Sequence, residues 1–120
     1  MKALAAIAAG AVLGAWARWG LALWLNRAGA ALPWGTLAAN IAGGLLVGAV
    51  LAYLEPRELD PAWRLFAVTG FLGALTTFST FSAESLALLQ RGAVGAALAH
   101  SALHGLGSLA AAWLGWTLLR

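Results

Sequence analysis

Cysteine is absent from this chain, which excludes disulfides and thiolate metal sites outright. Charge is nearly as scarce. Only 9% of the 120 residues are Asp, Glu, Lys or Arg, against about 25% in an ordinary soluble domain. A water-facing surface built from so few charges would be covered with large apolar patches. Four acids and two histidines are also a thin donor set for a tight transition-metal site. The seven basic residues, which leave a net charge of +3, are scattered singly. They form no cluster or stripe of the kind that nucleic acid requires, and no partner of that class is expected.

What remains is apolar, 62% of the chain. A transmembrane helix needs about 20 predominantly apolar residues to cross about 30 Å of hydrocarbon. Four segments meet that length: residues 3–25, 34–54, 62–89 and 93–119. The sequence therefore predicts an all-α integral membrane protein, a single four-helix domain over residues 1–120. Lys2 and the Ala-rich run after it imitate a secretory signal. That run exceeds a signal's apolar core and three more spans follow, so it reads as a retained helix. Pro56 and Pro61 bracket the one charge-dense turn and disfavour helix continuation. The connections are too short to hold an extramembrane domain, so no enzyme is expected. The expected location is the plasma or inner membrane, crossed several times.

Trp24, Trp34 and Trp63 fall near predicted helix ends, where interfacial aromatics belong. Lys2, Arg57, Arg64 and Arg120 lie on one side, and Arg27 and Arg91 on the other. This four-to-two bias mildly favours cytoplasmic termini and equally permits insertion both ways round. Gly10/Gly14 and Gly44/Gly48 have the small-xxx-small spacing that lets helix backbones approach in lipid, and are read as packing. So small a bundle has little interior. A solute path is more naturally built between two such chains than inside one.

The third span carries most of the polar chemistry. Eight of the fifteen residues from Gly70 to Glu84 are Gly, Ser, Thr or Glu, at a depth that should be hydrocarbon. A Gly-x-x-Gly step followed by β-branched hydroxyl residues makes a poor continuous helix. The prediction is two half-helices joined by an unwound stretch near Leu75–Ser79. Such backbone survives at membrane depth only when buried in protein or lining a polar cavity, and it exposes helix-end groups that can hold ions. The alternative is a continuous helix whose hydroxyls bond back to the i−4 carbonyl.

Asn40 is the one amide inside the second span, and interhelical glue and solute contact are both open to it. His100, His104 and Ser108 recur at i, i+4 and i+8 and so share one helix face. Polar stripes of this kind face a bundle interior or a water path. A zinc site at the two histidines has no further ligand in view. Glu84 is the lone acid inside a span and Arg18 the lone base well inside the membrane; each can pair in the interior or snorkel to an interface.

These residues resemble the Fluc (CrcB-type) fluoride channels over essentially the whole chain. The resemblance is carried by Gly14-Ala15-x-x-Arg18-Trp19, by Gly35-Thr36-Leu37-x-x-Asn40-x-x-Gly43, and by the long run Gly70-Phe71-x-Gly73-x-x-Thr76-Thr77-Phe78-Ser79-Thr80-Phe81-Ser82-x-Glu84. The first two motifs would be weak alone; the third is specific. The family implies an antiparallel, dual-topology homodimer with two fluoride pores at the subunit interface. It also implies a structural sodium ion held by backbone carbonyls, here those of Gly73 and Thr76. Phe78 and Phe81 resemble the pore phenylalanines and Asn40 the pore asparagine. Ser79, Thr80 and Ser108 are further candidate donors. His100 and His104 stand where the family typically has Tyr and Ser.

The expected activity is therefore passive, fluoride-selective export, with fluoride, the lipid bilayer and a second copy of the chain as partners and Na⁺ as the bound ion. The rival is a coupled exporter of the small multidrug type, also a short four-helix antiparallel dimer. That resemblance would require an acid in the first span, where only Arg18 is charged.

Overall fold

A computed structural model describes residues 1–30 and 32–120. The described residues fold into helices joined by short turns. Span one is Lys2–Leu25 and span two Trp34–Leu54; span three runs Pro61–Gln90 and span four Val94–Leu119. Each departs from its predicted limits by no more than one residue, because loss of hydropathy and the Pro- and Gly-containing turns mark the ends. Asp60 caps span three, its carboxylate accepting the Ala62 N–H at 2.9 Å with Pro61 at the first helical position. Gly92 closes the turn before span four at φ +72°, a left-handed backbone that glycine adopts without a Cβ penalty.

Spans one and three pack closely, as do spans two and four. The predicted glycines make both contacts. A Cβ on Gly10 or Gly14 would run into the backbone carbonyls of Phe66 or Phe71, and one on Gly44 or Gly48 into those of Ser108 or Ala112. In lipid, no hydrophobic force pulls helices together, so close backbone approach supplies the dispersion contact.

Span three is broken, more sharply than predicted. The break is confined to two residues: Thr76 (φ −81°, ψ 153°) and Thr77 (φ −150°, ψ 118°) are extended. Ser79, placed in the unwound stretch by the sequence reading, instead lies in the first turn of the helix Phe78–Gln90. That helix can start so early because the Thr77 hydroxyl accepts the Thr80 N–H at 3.2 Å, a side-chain cap at the N-terminus. Before the break, residues Leu65–Leu72 form a widened π-helix, and Leu103–Gly107 in span four do the same around His104. Such widened turns concentrate at functional sites.

Among the described residues the buried apolar core is small, with one cluster of Ala39, Leu72 and Leu75 and isolated Ala52, Leu88 and Ala97. Leu, Val and Trp side chains are exposed along the outside of the spans, with Trp16, Trp19, Leu98, Leu106 and Leu109 each about two-thirds exposed. That surface suits hydrocarbon, where such groups cost nothing to leave uncovered.

Candidate functional site

Asn40 sits at the break. Its Oδ1 accepts the Thr77 N–H at 2.8 Å, and its Nδ2 donates to the Thr77 carbonyl at 3.1 Å. One side-chain amide thus takes the N–H that the extended residue withdraws from the helix ladder and adds a bond to its carbonyl. Nδ2 also lies 2.8 Å from Nδ1 of His104 on span four. Asn40 is therefore bound to protein on both sides of its amide and links spans two, three and four.

The same clamp frees carbonyls. In a continuous helix the Thr77 N–H would bond the Gly73 carbonyl and the Thr80 N–H the Thr76 carbonyl. Here the first goes to Asn40 and the second to the Thr77 hydroxyl. Thr76 spends its own hydroxyl on the Leu72 carbonyl at 2.9 Å, leaving its carbonyl outside the ladder. Gly73 and Thr76 thus offer hard oxygen donors of the type that small cations prefer.

Beside the break lies an open groove of about 580 Å³, where Asn40, Gly73, Thr76, Phe78, Phe81 and His104 meet, with Ser108 at its far wall. Seven of the residues singled out from sequence therefore share one cavity, and no Lys, Arg, Asp or Glu lines it. Two buried polar atoms on its walls have no protein partner, Nε2 of His104 and Oγ of Ser108. A buried polar group without a partner costs about 1–3 kcal/mol, and the fold itself supplies none to these two atoms. Phe78 is 80% exposed and meets Phe81 edge-on, with centroids 5.4 Å apart and 61° between the planes.

Other predicted residues lie apart from the groove. Ser79 is exposed and approaches the Thr77 hydroxyl at 3.3 Å. Thr80, Arg18 and Glu84 line a second cavity of about 280 Å³, and Thr77 borders both. Arg18 and Glu84 share this cavity without pairing. Glu84 Oε1 instead accepts the Thr36 hydroxyl at 2.5 Å, and Oε2 faces His100 Nε2 at 3.3 Å. His100, almost fully buried, is held through Nδ1 by Ser85 Oγ at 3.0 Å.

Sequence reasoning missed three of these supports. Thr36 stands four residues before Asn40 and so shares its helix face, a signal that was there to use. Thr77 had only its place in the hydroxyl run, and Ser85 had no signal at all. The further ligand that the histidine pair lacked in sequence is Glu84: it, His100 and His104 bring one ligating atom each to within 4.8 Å of one another. A tetrahedral zinc with bonds of about 2.0–2.1 Å would need these atoms about 3.4 Å apart, so a metal would have to draw them inward.

A family model described as CrcB-like protein, Camphor Resistance (CrcB), matches residues 5–116. The chain belongs to the CrcB-like family. A relative from Variovorax paradoxus (strain S110) is 60% identical over 112 residues, covering 92% of this chain and 88% of its own length. One from Aromatoleum aromaticum is 53% identical over 117 residues, covering 97% and 89%. A third, from Marinobacter nauticus, is 54% identical over 112 residues, covering 92% and 89%. All three relatives are named fluoride-specific ion channel FluC. The CrcB-like membership and the four apolar spans make this a multi-pass membrane protein.

Proposed function

We propose that this CrcB-like chain is a fluoride channel that carries the ion passively across the membrane and is no enzyme. The observation that carries the reading is the groove: two phenylalanines and two unpartnered buried donors, His104 Nε2 and Ser108 Oγ, with no fixed countercharge. Fluoride is small, strongly hydrated and a strong hydrogen-bond acceptor. Its water must be replaced by protein donors along the path. Aromatic edges carry positive potential, so Phe78 and Phe81 contact the anion without trapping it, as a buried cation would. The His104 and Ser108 donors, one helical turn apart, extend the series. Thr80 on the neighbouring cavity, with Ser79 and His100 beside it, continues the polar route. A narrow path of this kind penalises the larger chloride sterically. The relatives' names support the same cargo.

The finer reading is an antiparallel homodimer with two such pores. In one chain the groove is open on one side and Phe78 is exposed. A Cβ at Gly73 would meet only the Val68 carbonyl at 3.6 Å, and at Gly105 nothing within 4 Å. Packing within one chain therefore does not require glycine at these two groove positions. Close approach of a second copy would. The carbonyls of Gly73 and Thr76 fit a sodium ion by their chemistry, and two copies would double the oxygens offered. That ion would supply cohesion between the subunits.

The test is efflux from liposomes reconstituted with the purified protein, read with a fluoride electrode while chloride is followed in parallel. The expected result is rapid fluoride loss with chloride retained. Equal loss of both, or loss of neither, overturns the reading.

A further inference from the structure

The hydrogen bonds around Asn40 dictate which nitrogen of His104 carries the proton. The Thr77 N–H can only donate, so the amide atom 2.8 Å from it is Oδ1. The Thr77 carbonyl can only accept, so the amide atom 3.1 Å from it is Nδ2. The backbone at the helix break thus fixes the orientation of the amide. Nδ2 carries hydrogens and no usable lone pair, and it also lies 2.8 Å from His104 Nδ1. Nδ1 must then accept. In the neutral ring the single proton is left on Nε2, the buried atom without a protein partner.

We propose that Asn40 is a positioning residue which locks His104 as the Nε2–H tautomer, making it a neutral anion donor and closing Nε2 to metal ions. What the donor serves rests on the fluoride reading; the tautomer does not. By position alone, Glu84, His100 and His104 could gather a transition metal, their ligating atoms lying within 4.8 Å. A metal needs the lone pair of a ring nitrogen, however. On His104 that lone pair is committed to Asn40 and the other nitrogen holds a proton. With an amide at position 40 His104 presents a protonated Nε2, and with a carboxylate there the three residues would offer a cation a bare one. In Asn40→Asp one oxygen still accepts the Thr77 N–H. The other faces Nδ1 as an acceptor, draws the proton across the ring, and leaves Nε2 with its lone pair.

The tautomer is read directly by nitrogen-15 NMR of histidine-labelled full-length protein in lipid, with His104→Gln used to assign the signal. The wild type is expected to show a protonated Nε2 and a bare Nδ1, and Asn40→Asp the reverse. A wild-type ring protonated at Nδ1, or a ring unchanged in Asn40→Asp, overturns the proposal. Cobalt(II) absorption gives a second readout. Asn40→Asp is expected to bind the ion in a manner abolished by His104→Gln, whereas wild-type binding through His104 would count against the lock.

Should Asn40→Asp fail to fold, Asn40→Ala carries the test through a double-mutant cycle. Loss of one hydrogen bond to a charged acceptor costs about tenfold or more, so Asn40→Ala should slow fluoride efflux by that factor. In a His104→Gln background, where residue 104 has no tautomer to fix, the slowing should fall below about threefold. An equal loss in both backgrounds would assign the effect to the clamp on Thr77 or to direct contact with fluoride, and sink the positioning role. Wild-type protein that passes no fluoride would defeat the channel reading and leave the NMR result standing or falling by itself.

Discussion

Phe81 stacks on His100 across the boundary between spans three and four, ring centroids 5.5 Å apart and planes 22° from parallel. The same ring lies 4.8 Å from His104, and the two imidazoles are 4.4 Å apart. One aromatic thus holds both histidines of the polar stripe in register with the groove. The stacked face is occupied, which leaves the ring edge to meet an anion.

Phe81→Ile removes that edge while keeping an apolar side chain. Fluoride efflux from proteoliposomes should fall by about tenfold or more, at the scale of one lost contact to a charged species. The protein should stay folded, since Ile fills much of the same volume. Wild-type efflux from a folded Phe81→Ile variant would remove Phe81 from the path.

Glycines within one subunit divide into required and indifferent positions. A Cβ at Gly48 would collide with the Ala112 backbone, whereas at Gly20 it would meet nothing within 4 Å. Backbone cannot give way as a side chain can, and overpacking of this kind costs about 1–3 kcal/mol. Gly48→Ala should lower the thermal unfolding midpoint in detergent, while Gly20→Ala should leave it unchanged. Equal midpoints for the two variants would contradict the packing of span two on span four.

Gly105 tests the second copy. A side chain there has open space within one chain, so Gly105→Leu should leave the subunit folded. If a partner covers the groove, the same change should shift the protein from dimer to monomer in light scattering. Wild-type dimers should also weaken when sodium is exchanged for a large organic cation. A dimer indifferent to both changes would place the interface elsewhere.

The ion pair between Lys2 and Asp60 ties the start of span one to the cap of span three. The hydrogen bond from Lys2, then that from the Ala62 N–H, hold the Asp60 carboxyl below its ordinary value of 3.8. A lowered folded-state value means the contribution is present above the unfolded value and is lost as pH falls through the folded one. Asp60→Asn keeps the cap oxygen and deletes the charge. Its unfolding midpoint should sit slightly below the wild type near neutrality and converge with it at acid pH. Because the pair is exposed, the difference should be small and should fade in high salt. A gap that widens on acidification would contradict the assignment.

Sequence alone determined the four spans, their limits, the packing glycines and the existence of a break in span three. Each of these depends on local quantities: hydropathy over about 20 residues, spacing of small residues, and the poor helix propensity of a Gly- and Thr-rich run. The polar stripe was legible for the same reason, since i, i+4, i+8 is a property of one helix. The tertiary structure decided what no single helix contains. It shortened the break to Thr76 and Thr77, because an amide from span two satisfies the extended backbone there. It gave Glu84 to Thr36 and His100 instead of Arg18, and it made Asn40 the clamp of the break. Partner choice among buried polar groups depends on distances between helices, and those appear only when the spans have packed.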